Sequence, residues 1–454
     1  MGVKIMNEFI DKEIENIDFG DNRLNKRLNT LVESFSQSPE SSIPAACASV
    51  AEVKGVYRFF ASDKVKVHKI QRSFFSATIE RIHPYQRILI LQDTSNMDFT
   101  TQKGKKDIGY LDSPLSQGIK MHSGLVTCPA GVPLGLICQE FWVRLQEEYG
   151  KKKERKNKPI KDKESQRWLD TVEVAENEID ESKEVIIIGD RESDIYDLFI
   201  QKRRKNIHLL MRAAQNRITS GSPRLLFDNI SSKEVAGTTE IKVTRAKDRK
   251  ERIAKLEIRF SQIEIKPPQY RKKENLAPVK LNVILASEVN APEDVTPVKW
   301  LLLTTLPVNT FEEAMECIRL YSLRWLIERY HYVLKSGCKI EKLQLETKER
   351  LEKAIAVYCI VAWRLLYITY LSRIAPEETS SKVLKQEEWE ALHCFVKKVK
   401  TPPNKAPTLK ESVIMIAKLG GFLGRKGDGE PGVKVLWRGL KRLNDITESY
   451  LIFR

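Results

Sequence analysis

The chain is poor in the residues that most often announce a site. Its seven cysteines, Cys47, Cys128, Cys138, Cys317, Cys338, Cys359 and Cys394, are odd in number, scattered along 454 residues and show no paired zinc-ligand spacing. That argues against a disulfide framework or a zinc module and reads as reduced thiols in a cytosolic protein. The six histidines are equally dispersed, so any divalent ion is left to carboxylates. No internal repeat is present. The opening MGVKIMNEFIDKE lacks the apolar core of an export signal, and Met6 stands where a myristoylation signal wants Ser or Thr. Long apolar runs free of charge are also missing: the one extended run, residues 354–371, carries Arg364 in its middle. A guanidinium unpaired in lipid is costly, so a buried helix is expected there and not a membrane span.

What is abundant is positive charge. Lys and Arg number 77 against 61 Asp and Glu, a formal charge of +16, which favours a polyanionic partner such as nucleic acid or an anionic membrane surface, and charge alone does not choose between them. A hydrophobic content of 41% is enough to build cores, and the length predicts more than one domain.

Residues 1–70 read as helical and basic, with Arg23, Lys26 and Arg27 on neighbouring turns of one face, and SQSPESSIP (36–44) breaks the helix. From Arg87 the run RILILQD predicts a buried strand ending at Asp93. Two further strands are expected near 119–128 and 134–143, and the intervening QKGKKDIGYLDSPLSQG has the composition of a mobile basic loop. The segment 151–163, KKKERKNKPIKDK, reads equally as a solvated basic loop or as a stretch in direct contact with DNA. A helix over 165–180 then leads to EVIIIGDRESDIYDLF, where an apolar strand ends at Asp190; strand, helix, strand implies parallel pairing. Residues 205–306 hold successive strand patterns. Beyond 340 the chain is helical to about 395, then Pro- and Lys-rich, and it finishes in two helices broken at GRKGDGEPG.

Residues 321–335, YSLRWLIERYHYVLK, carry the most informative spacing. Tyr321, Arg324, Glu328 and Lys335 would share one stripe of a regular helix at about 100° per residue. Any exposed helix can carry such a stripe as a solvated face. Two strand-end acids change the weighing: Asp93, Asp190 and Glu328 together fit a two-metal site for phosphoryl transfer, whose hard oxygen ligands suit Mg²⁺ or Mn²⁺.

These residues resemble the bacterial DDE transposases of the insertion-sequence-four family. The likeness rests on the strand with Asp93, on GDRESDIYDLF, and on the Tyr321, Arg324, Glu328 and Lys335 spacing; DNRLNKRL (21–28), GVYRFF (55–60), MHSG (121–124), KWLLLT (299–304) and LGGF (419–422) extend it collinearly. The resemblance implies an α/β fold: a ribonuclease H-like catalytic core with an inserted β subdomain, flanked by N-terminal and C-terminal helical domains. The expected divisions are a DNA-binding domain at 1–70, the core at 71–372 with its β insertion at about 205–306, and a dimerisation region at 373–454, supported by LGGF and Trp437. It also implies cut-and-paste DNA transposition through nicking, hairpin formation and resolution, and strand transfer. Asp93, Asp190 and Glu328 would bind two Mg²⁺ or Mn²⁺ ions, and Tyr321, Arg324, Lys335, Trp300, Arg212, Arg23, Lys26 and Arg27 would contact DNA. The implied partners are double-stranded DNA, as terminal inverted repeats and target, and a second copy of the chain, with no membrane; the location is the cytoplasm, at the nucleoid when DNA is bound. Segments 101–118 and 151–163 depart from the family pattern. A ribonuclease H-like nuclease without strand transfer and a non-catalytic DNA-binding regulator are the competing readings; the second is disfavoured because all three acids are present.

Overall fold

The computed structural model describes residues 12–151, 158–243, 251–293 and 295–453. The opening segment with Met6, and residues 152–157 of the lysine-rich stretch, lie outside the described residues. In chain order the longer helices α1 (Asn22–Gln37), α2 (Val50–Ala61) and α3 (Val67–Ile82) precede the strands β1 (Arg87–Asp98), β2 (Gly109–Tyr110), β3 (Gln117–Thr127) and β4 (Pro133–Trp142). Helix α4 (Gln166–Glu178) leads to β5 (Glu184–Gly189) and β6 (Ile207–Arg212), followed by β7 (Gly237–Val243), β8 (Arg252–Ile265), β9 (Val279–Glu288) and β10 (Lys299–Thr304). The remaining long helices are α5 (Phe311–Ser322), α6 (Trp325–Tyr332), α7 (Lys348–Ile374), α8 (Gln386–Lys397), α9 (Leu409–Leu419) and α10 (Val433–Phe453). The α/β class is found, and among the described residues most of the strand and helix runs expected from the sequence are found too; the single helix expected over 321–335 is not.

Contacts divide the chain into two compact units, one of Met1–Pro84, Thr94–Lys152 and Leu326–Arg454, the other of Tyr85–Asp93 and Lys153–Trp325. In the second unit the strand order is β1-β5-β6-β10-β9-β8-β7. The pairs β1/β5 and β5/β6 are parallel, as strand, helix, strand requires, and the pairs from β6 onward are antiparallel. Strand β5 is apolar along almost its whole length because it is covered on both faces. Helix α5 opens with a reciprocal capping box between Thr310 and Glu313, which satisfies amides the first turn would otherwise leave bare.

In the first unit, β3 pairs with both β2 and β4, antiparallel in each case. Helix α7 holds the long apolar run and is a core helix: Arg364 is 6% exposed, and the helix's most apolar window is 83% buried. Its Lys353 ammonium reaches the carbonyls of Phe60 (3.4 Å) and Ser62 (2.9 Å), capping the C-terminal end of α2. Glycines let α9 and α10 touch along their backbones. A Cβ on Gly420 would stand 1.8 Å from the Val435 carbonyl oxygen, and one on Gly439 would stand 1.9 Å from that of Ile416. That close approach explains LGGF. Trp437 is 3% exposed, because its indole packs on Gly337 and Tyr332.

Candidate active site

The parallel register brings two carboxylates level. Strands β1 and β5 pair from Arg87 with Glu184 to Leu91 with Ile188, each partner 97 positions on (184 − 87), and Asp93 and Asp190 keep that separation two residues later (190 − 93 = 97). Strands β5 and β6 pair from Val185 with Ile207 to Gly189 with Met211, an offset of 22, which continues from Asp190 to Arg212 (212 − 190 = 22). Neighbouring strands lie about 4.8 Å apart, so the backbone positions of Asp93, Asp190 and Arg212 stand in one row across the sheet.

Asp93 departs from expectation in one respect, since β1 runs on to Asp98. What stops near Asp93 is the pairing with β5, which terminates at Gly189; β1 continues because its far end borders β3, where the Phe99 N–H donates to the Gln117 carbonyl at 2.9 Å. Asp190 does end its strand. One of its oxygens accepts the Glu192 N–H at 2.8 Å, so a helix-cap role is realised at the same carboxylate.

Tyr321 on α5 is 4% exposed, with the Trp300 ring edge-on at 5.7 Å. Burial pushes its phenol up; the cations Arg324 and Arg212 and a hydrogen bond from Arg324 pull it back, and Asp190 adds to the rise. Tyr321, Arg324, Arg212 and Asp190 are therefore electrostatic neighbours. Arg212 Nη2 donates to the Lys299 carbonyl at 3.1 Å. It also lines a pocket of about 110 Å³ with Arg191 and Lys299 at its polar side and Phe227, Leu285 and Leu301 on its apolar side.

The single helical stripe from Tyr321 to Lys335 does not form. The Ser322 hydroxyl donates to the Arg319 carbonyl at 2.6 Å, the acceptor that the Leu323 N–H would use in a continuing helix. Leu323 and Arg324 bond instead to Leu320 and Tyr321, closing α5 with tight turns before α6 begins. A π-helical turn over Val333–Gly337 shifts Lys335 off the 100° rhythm again. Glu328 on α6 and Lys335 belong to the first unit, where Lys335 pairs with Glu341 at 3.6 Å.

The N-terminal basic residues have different surroundings. Arg23 is exposed and pairs with its own cap residue Asp21 at 3.1 Å, and the Arg23 hydrogen bonds hold that carboxyl down to about 2. Lys26 is exposed, while the Arg27 guanidinium lies against Gly55 of α2, where a Cβ would meet it at 2.8 Å. The loop expected to be mobile is pinned. Lys105 donates to the Leu343 and Leu345 carbonyls at 2.6 and 2.7 Å, and Lys106 exchanges backbone bonds with Glu346 and Lys348. An ammonium satisfies two carbonyls of an extended segment that no strand would otherwise pair.

Oxygen donors from Asp93 and Asp190 are the hard ligand type that Mg²⁺ and Mn²⁺ take, so these residues fit a divalent ion. Among the described residues no three His, Cys, Asp or Glu are gathered as a ready-made metal group. Arg191, Lys299, Asp194 and Arg217 escaped sequence reasoning; the block GDRESD held two of them in plain view, but nothing local marked them.

Comparison with known families matches residues 6–65 to "Transposase DNA-binding", 151–364 to "Transposase DDE domain" and 360–451 to "Transposase Tn5 dimerisation domain". The α/β core is that of a DDE transposase, with a ribonuclease H-like core and flanking helical segments. The chain belongs to the Tn5-type DDE transposases: it binds DNA, forms homodimers, and cleaves and transfers DNA strands. The DDE match contains Asp190 and Glu328, whereas Asp93 precedes it.

Proposed function

We propose that this transposase works by cut-and-paste: it nicks DNA at terminal inverted repeats, drives the freed 3′ hydroxyl onto the opposite strand to close a hairpin, opens that hairpin, and joins the end to target DNA. The observation that carries this reading is the row Asp93, Asp190 and Arg212 with Tyr321, Arg324 and Trp300 around it. Every step is an in-line displacement at phosphorus and needs no protein nucleophile. Asp93, Asp190 and Glu328 are the residues that would hold two Mg²⁺ or Mn²⁺ ions, which when bound stabilise the attacking and leaving oxygens. Tyr321, Arg324 and Lys335 donate to phosphates near the hairpin bend, and Arg212 contacts DNA near the transposon end. Trp300 stacks on a base displaced there, returning roughly 1–3 kcal/mol against an unstacking cost of a few.

Arg23, Lys26 and Arg27 contact the transposon end within a DNA-binding domain at 1–70, the core spans 71–372, and 373–454 supplies the dimer contact. The last turn of α10 exposes Leu451, Ile452 and Phe453 (57%, 75% and 88%), apolar surface suited to a second copy. The protein acts in the cytoplasm, at the nucleoid.

The test incubates labelled end DNA with Mg²⁺ and the parent or Glu328→Ala. Hairpin and strand-transfer products are expected from the parent, with cleavage by the variant down by about 10³-fold or more. Equal cleavage by both would overturn the assignment; cleavage without hairpins would leave a nuclease, and binding without cleavage a regulator.

A further inference from the structure

The block GDRESD supplies one acid to the row above, and a second acid in it has no part in that chemistry. Asp194 lies four residues after Asp190, its side chain wholly buried against Arg217. One carboxylate oxygen accepts the backbone N–H groups of Ala214 and Gln215 at 2.8 and 2.7 Å. The other accepts Arg217 Nε and Nη2 at 3.0 and 2.7 Å, and Nη2 also donates to the Asp194 carbonyl at 2.6 Å. Every strong acceptor direction of the carboxylate is thus used by a donor from one short loop. That loop is the one leaving β6 directly after Arg212.

The turn at the other end of this grip is packed just as tightly. The Ser193 hydroxyl donates to the Asp190 carbonyl at 2.6 Å and lies 3.0 Å from the sulfur of Met211, the residue before Arg212. Gly189 is needed beneath it, since a Cβ there would stand 2.4 Å from the Ser193 oxygen. The turn that begins at Asp190 and the loop that follows Arg212 are joined by a buried ion pair, its carboxylate fully hydrogen-bonded, beyond the last paired residues of β5 and β6.

We propose that Asp194 is a positioning residue for DNA strand cleavage: by clamping the loop after β6 to the turn after β5, it fixes Asp190 and Arg212 in their common row. The proposal rests on the reading of Asp190 as catalytic. A buried carboxylate replaced by an amide turns an acceptor into a donor facing donors, so the loop must let go on one side. Misplacement of a reacting group by about 1 Å can cost on the order of 10²-fold in rate.

The experiment compares the full-length parent with Asp194→Asn, Asp194→Asn/Arg217→Gln and Asp190→Asn. In the free protein, without DNA or divalent ion, amide exchange of a peptide covering 213–218 is expected to accelerate about tenfold or more in Asp194→Asn, while the thermal midpoint shifts by only a few degrees, about 5 °C or less. Single-turnover cleavage of end DNA falls about 30-fold or more, with KM within about threefold, because the loss lies in orientation and not in binding. In the double variant the Gln oxygen can accept from the new amide, and about tenfold of the rate returns. A merely structural role would lower stability and rate together and give no such rescue. If Asp194→Asn does not fold, Arg217→Lys, which keeps the charge but loses the fork, serves in its place, with a rate loss of about fivefold. Unchanged exchange, or faster exchange with cleavage at the parent rate, overturns the proposal. Cleavage retained by Asp190→Asn overturns the catalytic reading instead, and the exchange measurement keeps the two failures apart.

Discussion

Single side chains here often serve neighbours far away in the sequence. Tyr321 is recognisable as part of a spaced set, yet its edge-on contact with Trp300 comes from another element, and its position beside Arg212 and Asp190 from elements more than a hundred residues away. Glu13 makes the same point away from the site. Burial raises its carboxyl from an ordinary 4.5 to about 7, although Arg81 pairs with it and pulls the other way. The folded state then keeps this proton at pH values where the unfolded chain has released it, so stability falls as pH climbs from 4.5 toward 7. The expected loss is of order 1–3 kcal/mol, with the Arg81 contact limiting it. Urea midpoints from pH 4.5 to 8 read this directly: Glu13→Gln should flatten that part of the curve, and an unchanged slope would exclude Glu13 as its source. Nothing in NEFIDKE marks Glu13 as buried, because the partner is on α3.

At the scale of elements, most of the secondary structure was legible. The run EVIIIG could only be a covered parallel strand, and RIAKLEIRFSQIEI is β8 residue for residue. The misses share a cause. The helix break after Ser322 depends on which donor takes the Arg319 carbonyl, the continuation of β1 beyond Asp93 depends on a neighbour at β3, and the loop 101–118 is held by carbonyls near residue 345. Local composition records none of these competitions. Helices α9 and α10 offer a test at this scale. Gly439→Ala places a methyl 1.9 Å from the Ile416 oxygen, so the two helices must separate. Overpacking of this kind costs about 1–3 kcal/mol, and thermal unfolding should show it as a lowered midpoint with weakened self-association in sedimentation. A wild-type midpoint would mean that the contact is not needed.

For the whole molecule, the excess of 77 basic over 61 acidic residues sets long-range behaviour that no single contact explains. Binding to unrelated duplex DNA should weaken by about 10³-fold or more between 50 and 200 mM salt, as release of several counterions requires. Fluorescence anisotropy across that range is the measurement, and a flat response would argue against a phosphate-dominated surface. The three family matches follow one another along the sequence, whereas the compact units interleave its segments. Linear order and spatial grouping carry different information about this chain.

By itself, the sequence determined the strand and helix types, the basic balance, and three candidate acids together with the family they point to. The element types and the charge follow from composition and short-range periodicity, and the acids and the family from the motifs that carry the resemblance. Only the tertiary structure decided that Asp93, Asp190 and Arg212 stand in one row, that Tyr321 is buried beside them, and that Asp194 grips the loop after β6. Register between strands separated by 97 positions is fixed by backbone pairing and packing, and those are set by the whole folded chain.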